Sequence, residues 1–522
     1  MNERLYMGVD IGTSGVKAIA FDQDGNEQFK AHETYPLETP TPDTAVQDPE
    51  LIYEKTRAVI MEVAEHCENK VACVSFSSAM HSLVCMNESG ALLTPLITWA
   101  DKRSAHVSKR WQADGTGHTL YEKTGTPTHP MSPLCKLRWL QEEQPQLLEN
   151  TAMAFGIKEY IFFRLFDVTV MDESLASATG LMNIHSLEWD ETALQAAGLF
   201  PSQLPDLVKT TAAFHSKDQK QRDSLRSLNL SPDTPFVIGA SDGVLSNLGV
   251  GAINHGEVAL TIGTSAAVRS ASRTPHIDDK GRTFCYLLTE DHWIIGGAVN
   301  NGGLVLQWLV EEFVKEQHQS IGLAEATNTV MHDTKDVPPG ANGLFFLPFL
   351  TGERAPLWNP DARAAFLGLS IAHTREDMVR AALEGVTYNI YSVLLALQEL
   401  IGVPQAVYAS GGFSRSSSWK QIVADVFDQP LYFPTSYESS TFGAAVLAMY
   451  ALEDIQDLHH FKNQQLIEEK IEPNTENVKT YQELMSVYLD LSRSLAPHYE
   501  RLTEMQQRLN GESRKNPVHP RT

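Results

Sequence analysis

The 522 residues carry 65 Asp and Glu against 41 Lys and Arg, a formal net charge of −24, and 42% are hydrophobic. Such a chain has material for more than one core, and its acidity argues against nucleic acid as a partner, because neutralising phosphates needs a basic stripe. No apolar run approaches the roughly 18 residues of a membrane span. The opening residues read as a strand and not as a leader, and five scattered cysteines without a CxxC pair point to reduced thiols and a cytoplasmic home.

Residues 5–9 and 16–21 are apolar runs of strand length, separated by Asp10-Ile11-Gly12-Thr13-Ser14-Gly15, a turn of small residues. A second turn at 22–25 leads into a third strand over 27–33. The pattern predicts a meander of three strands, without the strand-to-helix transition of a dinucleotide fingerprint. An apolar strand over 236–238 runs into a turn, Gly239-Ala240-Ser241-Asp242-Gly243. Residues 257–271 then repeat the opening: Ile262-Gly263-Thr264-Ser265 matches Ile11-Gly12-Thr13-Ser14, with an apolar run before and another after that carries one basic residue (Lys17, Arg269). The repeat falls nearly halfway along the chain and predicts an internal duplication. It divides the protein into a first domain over 1–247, a second over 248–510 and a polar, disordered tail over 511–522. Apolar spacing of three and four predicts a helix over 376–401, and a second over 481–509. Ala406-Val407-Tyr408 reads as a strand leading to Ala409-Ser410-Gly411-Gly412-Phe413-Ser414.

A tight turn of Gly, Thr and Ser exposes N–H groups and hydroxyls that suit phosphate oxygens. One such turn is as readily a plain hairpin, whereas two in matched contexts favour a pair that holds a triphosphate. Asp10, ahead of the first turn, is either a Mg2+ ligand, directly or through water, or a turn cap. Asp242, at a strand end, suits the base that takes a hydroxyl proton in phosphoryl transfer, although an Asp before Gly also serves as a plain turn residue. Gly411 and Gly412 let a flat ligand approach the backbone, or only turn a strand into a helix. The patterns GxxxxGK[ST] and HExxH are absent, so any ATP chemistry must use the two turns.

Two longer stretches add to these. One is Met131-Ser132-Pro133-Leu134-Cys135-Lys136-Leu137-Arg138-Trp139-Leu140; the other runs from Ala364 through Phe366, Gly368 and Leu369 to Asp377-Met378-Val379-Arg380-Ala381-Ala382-Leu383-Glu384. With the Asp10 turn, the Asp242 turn and the Gly411-Gly412 loop, they resemble the FGGY carbohydrate kinases over nearly the whole chain. The resemblance implies an α/β fold of two actin-like (ribonuclease H-like) domains with a central interdomain cleft, in the sugar kinase/Hsp70/actin superfamily, using ATP and Mg2+. It makes Asp242 the catalytic base and Asp10 the acid that positions Mg2+ through water. It assigns Gly12, Thr13, Ser14 and Lys17 to the first phosphate turn, Gly263 and Thr264 to the second, and Gly411 and Gly412 to the adenosine. Met80, His81, Trp99, Asp101 and Arg103, with Asp242, then face the sugar. Residues 76–82, 96–104, 156–162, 239–249 and 352–359 are most similar to members that act on gluconate, so the implied small-molecule substrate is gluconate or a related sugar, with xylulose as the alternative. Arg103, Lys158 and His81 are candidates to meet its carboxylate. Lys102 departs from the small or amide residue common at its position. The resemblance leaves a homodimer open. A non-catalytic, chaperone-like ATP-binding protein is the alternative from another class; the presence of both Asp10 and Asp242, without an appended peptide-binding β-domain, weighs against it.

Overall fold

In the computed structural model, residues 4–68, 70–313, 327, 329–331, 334–434, 438–462 and 467–515 are described. The apolar opening forms β1 (Leu5–Ile11), and the small-residue turn folds it back antiparallel into β2 (Gly15–Phe21) and then β3 (Glu27–Thr34). This is the predicted meander. Asp48 caps α1 (Pro49–His66) by accepting from Glu50 N, and Pro49 occupies a first-turn position where no N–H is needed. The chain returns in β4 (Val71–Ser78), parallel to β1. Then follow α2 (Pro133–Glu143), α3 (Ile157–Phe166), β5 (Ala213–Phe214), β6 (Phe236–Ser241) and α4 (Asp242–Gly249). These strands form one sheet in the order β5-β6-β4-β1-β2-β3. Its central strands read as near-continuous apolar runs because both faces are covered. Met7, Val9, Phe76 and Ile238 share a core with Val59 and Val63 of α1 and Phe162 of α3.

The second half of the chain supplies β7 (Glu257–Ile262), β8 (Ala266–Ser272), β9 (Phe284–Thr289), β10 (His292–Val299), α5 (Gly303–Phe313) and α6 (Arg375–Ile401). It continues with β11 (Ala406–Ser410), α7 (Ser417–Phe427), β12 (Leu431–Pro434), α8 (Ser439–Ala451), β13 (Ile467–Ile471), α9 (Thr475–Leu495) and α10 (Tyr499–Lys515). The chain forms two compact units. The first comprises Met1–Ala259, Arg269–Ile295 and Pro434–Leu466, and the second Leu260–Val268, Gly296–Phe433 and Ile467–Thr522.

The first unit thus includes α8, which packs backbone to backbone on α4: a Cβ at Gly443 would stand 2.1 Å from Leu245 O. The strands of the second half run in the order β9-β10-β8-β7-β11-β12-β13. Thr374 and Asp377 cap α6 reciprocally, and the helix spans the predicted stretch. The helix expected over 481–509 is instead two helices, α9 and α10, joined by a 3-10 turn at Ala496–His498. Pro497 lacks an N–H and its ring clashes with the preceding turn, so one continuous helix is excluded. Helix α10 runs on to Lys515, and the rest of the expected tail, 516–522, lies outside the described residues. All five cysteines are free and buried, and no helix among the described residues is long and apolar enough to cross a membrane.

Candidate active site

Asp10 sits near the end of β1, opposite Ser77 of β4, and Ser77 Oγ donates to its Oδ1 at 2.6 Å. The turn that follows is fixed from several sides. Gly12 N donates to Gly15 O at 3.0 Å, Tyr35 OH to Gly12 O at 2.6 Å and Gln47 Nε2 to Thr13 O at 2.7 Å. Trp99 Nε1 donates to Thr13 Oγ1 at 2.9 Å, which turns the threonine's own hydroxyl hydrogen towards another acceptor. Ser14 is exposed at the tip. Lys17, the cross-strand partner of Asp10, places its ammonium 2.7 Å from Glu438, so this expected phosphate ligand has an acidic partner of its own.

Strand β6 delivers Asp242 to the first position of α4, where Gly243 N donates to its Oδ1 at 2.7 Å. The strand end is braced from behind. Lys158 Nζ donates to Ala240 O at 3.3 Å and pairs with Asp172 at 2.7 Å, both side chains fully buried. Ser241 N donates to Ser174 Oγ at 3.2 Å. Lys158 is therefore enclosed and not open to a substrate carboxylate. Burial pushes its neighbour Glu159 up to about 7, with the Lys158 charge pulling the other way. Beside Gly243 lie Met80 and Arg269: a Cβ there would stand 3.1 Å from Met80 Cε and 3.1 Å from Nε and Nη2 of Arg269.

His81 is buried with φ +67°, and its Nδ1 lies 2.8 Å from Ala178 O. A carbonyl only accepts, so Nδ1 carries a proton, and in the neutral ring Nε2 is the acceptor. Lys136 Nζ donates to His81 O at 2.5 Å; burial pushes this ammonium down to about 7, with Asp101 opposing the shift. Asp101 accepts from Ala45 N at 3.0 Å and from Arg103 Nε at 3.0 Å, and Arg103 lies 4.5 Å over the Trp139 ring. Asp101 and Arg103 thus hold one another. Gly12, Thr13, Gln47, Met80, Ser82 and Trp99 line one small recess, which brings the first turn and part of the expected sugar segments together.

In the second unit the repeated turn between β7 and β8 is closed by Gly263 N donating to Ser265 O at 2.9 Å. The start of α5 lies directly on it: Gly303 N donates to Gly263 O at 2.7 Å and Gly302 N to Thr264 O at 3.1 Å. A Cβ at Gly302 would stand 2.8 Å from Ser265 O, so the approach requires glycine. Gly411 follows β11 with φ +101°, and a Cβ there would lie 2.4 Å from Ile262 O. Gly263, Thr264, Gly303, Gln307, Gly412 and Phe413 line a cavity of about 360 Å3. Buried Glu353 anchors the chain ahead of Gly302, accepting from Asn300 N at 2.5 Å, Asn301 Nδ2 at 3.1 Å and Asn389 Nδ2 at 2.8 Å. Burial pushes Glu353 up to about 7, against the pull of those donors. Gln47, Gly302 and Gly303 carry no local signal in the sequence; Ser77 and Glu353 show there only within the stretches 76–82 and 352–359, without a role of their own, and Arg269 only as the counterpart of Lys17.

Residues 5–249 match the N-terminal domain, and 258–452 the C-terminal domain, of the FGGY family of carbohydrate kinases. The chain belongs to this family. This FGGY kinase is 45% identical over 511 residues to gluconokinase from Bacillus licheniformis, covering 97% of the present chain and 98% of that one. Among solved structures it is similar to gluconate kinase from Lactobacillus acidophilus, with TM-score 0.90 and 33% identity over 96% of this chain and 100% of that one. It is also similar to a ligand-bound xylulose kinase from the same organism, with TM-score 0.89 and 33% identity over 96% and 100% of the two chains. The two-domain α/β, actin-like fold implied by the sequence is the fold of this FGGY kinase, and ATP is its phosphoryl donor.

Proposed function

We propose that this FGGY kinase transfers the γ-phosphoryl group of ATP to the 6-hydroxyl of gluconate, giving 6-phosphogluconate and ADP. The observation that carries the reading is Asp242 at the start of α4, with the Arg269 guanidinium and Met80 against the very next residue. A carboxylate in that place accepts the hydroxyl proton as the oxygen–phosphorus bond forms and the bond to ADP breaks. A guanidinium beside it offers paired N–H donors to the carboxylate of a sugar acid, a group that a neutral pentulose lacks. Thr13, Met80 and Trp99 meet the sugar, and the Thr13 hydroxyl has a hydrogen to give to an oxygen ligand. The cavity lined by Thr264 and Gly412 receives the nucleotide.

Asp10, which accepts from Ser77 through one oxygen, is the residue that would hold Mg2+ through water. Bound there, Mg2+ would neutralise phosphate charge. The five free cysteines fit an enzyme of the cytoplasm, where thiols stay reduced. The test is ATP-dependent ADP release by the purified chain with gluconate, xylulose, ribulose, glycerol and fuculose. Gluconate is expected to give the highest kcat/KM by at least about tenfold. A higher value with xylulose moves the enzyme to the pentulose branch.

A further inference from the structure

The longest motif that the proposed chemistry leaves unused is the stretch 131–140, which opens α2. Ser132 caps this helix, its Oγ accepting from Cys135 N at 3.4 Å, and Pro133 begins it. One turn in, Lys136 is 0% exposed and donates to His81 O at 2.5 Å. Three residues on, Trp139 lies under the Arg103 guanidinium at 4.5 Å, so one face of α2 touches two of the residues expected at the sugar. A core position alone does not call for an ammonium, since an aliphatic side chain of the same length would pack there without the desolvation penalty.

What the ammonium holds is unusual. His81 is not Gly, yet its φ is +67°, in the left-handed region that residues with a Cβ adopt uncommonly. Its carbonyl is tied to Lys136, its Nδ1 to Ala178 O, and its ring meets Tyr286 edge-on at 6.0 Å. Backbone and ring are thereby fixed independently.

We infer that Lys136 is a positioning residue of the sugar site: its ammonium holds His81 in the left-handed conformation, so that the imidazole is presented to a sugar hydroxyl in one orientation. The inference rests on the reading of His81 as a sugar contact. Without the ammonium, His81 relaxes towards negative φ and its ring leaves Ala178 O, which weakens sugar binding and leaves nucleotide binding untouched.

The experiment is a double-mutant cycle on the full chain by coupled ADP release. Lys136→Met is expected to raise the gluconate KM about 10- to 100-fold, with the ATP KM within about twofold. In a His81→Ala background, which raises the gluconate KM by itself, adding Lys136→Met is expected to change it by less than about twofold. Equal changes in both backgrounds, or an unchanged KM in either single variant, overturn the inference. If Lys136→Met yields no folded protein, Lys136→Gln replaces it, since it keeps a shorter N–H donor. A gluconate KM between wild type and His81→Ala then supports the inference, and a value equal to wild type or beyond His81→Ala overturns it. Wild-type protein without sugar-stimulated ADP release would remove the kinase reading itself, whereas active wild type with uncoupled Lys136 and His81 removes only this inference.

Discussion

Lys158→Met should unfold the first unit far more readily than its modest change of shape suggests. Lys158 and Asp172 are both fully buried, 2.7 Å apart, and the lysine also donates to Ala240 O. The methionine fills nearly the same volume, so little of the loss comes from packing. What remains is Asp172, a carboxylate closed off from water with its cation gone. Breaking a buried pair on one side in this way costs about 3–5 kcal/mol. Asp172 Oδ1 also accepts from Leu175 N at 3.0 Å, a helix cap that asparagine can supply equally well. The double variant Lys158→Met/Asp172→Asn removes both charges and keeps the cap, so it should recover all but about 1 kcal/mol. Urea unfolding followed by tryptophan fluorescence gives the midpoints, with the slope checked for constancy. A single variant within about 1 kcal/mol of wild type, or a double variant no more stable than the single, refutes the account of this pair.

Gly411→Ala forces a Cβ to 2.4 Å from Ile262 O at a residue with φ +101°, so the loop beside the cavity must move. ATP affinity by calorimetry should fall at least about tenfold while the sugar KM holds. Arg269→Leu should lower kcat/KM for gluconate about 10- to 150-fold, the worth of a charge-assisted hydrogen bond, and for a neutral sugar less than about threefold. For Glu353, burial raises the carboxyl from its usual 4.5 to about 7, so between those values the folded chain holds a proton that the unfolded chain has released. Its contribution to stability is therefore full below the unfolded value and lost as pH rises to about 7. Relative to Glu353→Gln, which does not titrate, wild type should lose about 3 kcal/mol of stability between pH 4.5 and 8 in parallel urea titrations.

The parts of the fold legible in the sequence are those written in local pattern. The meander of β1, β2 and β3 shows in alternating runs broken by small-residue turns, and α6 shows in unbroken three-and-four spacing. The repeated turn shows as four identical residues, and both copies form the hairpin turn expected of them. Pro497 was visible too, but apolar spacing on either side bridged it, and the chain obeyed the proline. Lys158 shows the limit of such reading. In sequence it is a candidate for the substrate carboxylate, and only the fold brings Asp172 to it and closes both from water. The roles of Gly302 and Glu353 are illegible for the same reason: one is required by a backbone it meets across dozens of residues, the other by donors at Asn301 and Asn389.

The most direct test of the central claim is turnover of Asp242→Asn with gluconate, measured beside its affinity for ATP. Asparagine keeps the size of the side chain and the acceptor for Gly243 N but cannot take the hydroxyl proton. A base of this kind contributes about 10²- to 10⁴-fold, so kcat should fall by that factor while ATP binding stays within about twofold of wild type. A variant that turns over gluconate at close to the wild-type rate would contradict the assignment of proton transfer to Asp242.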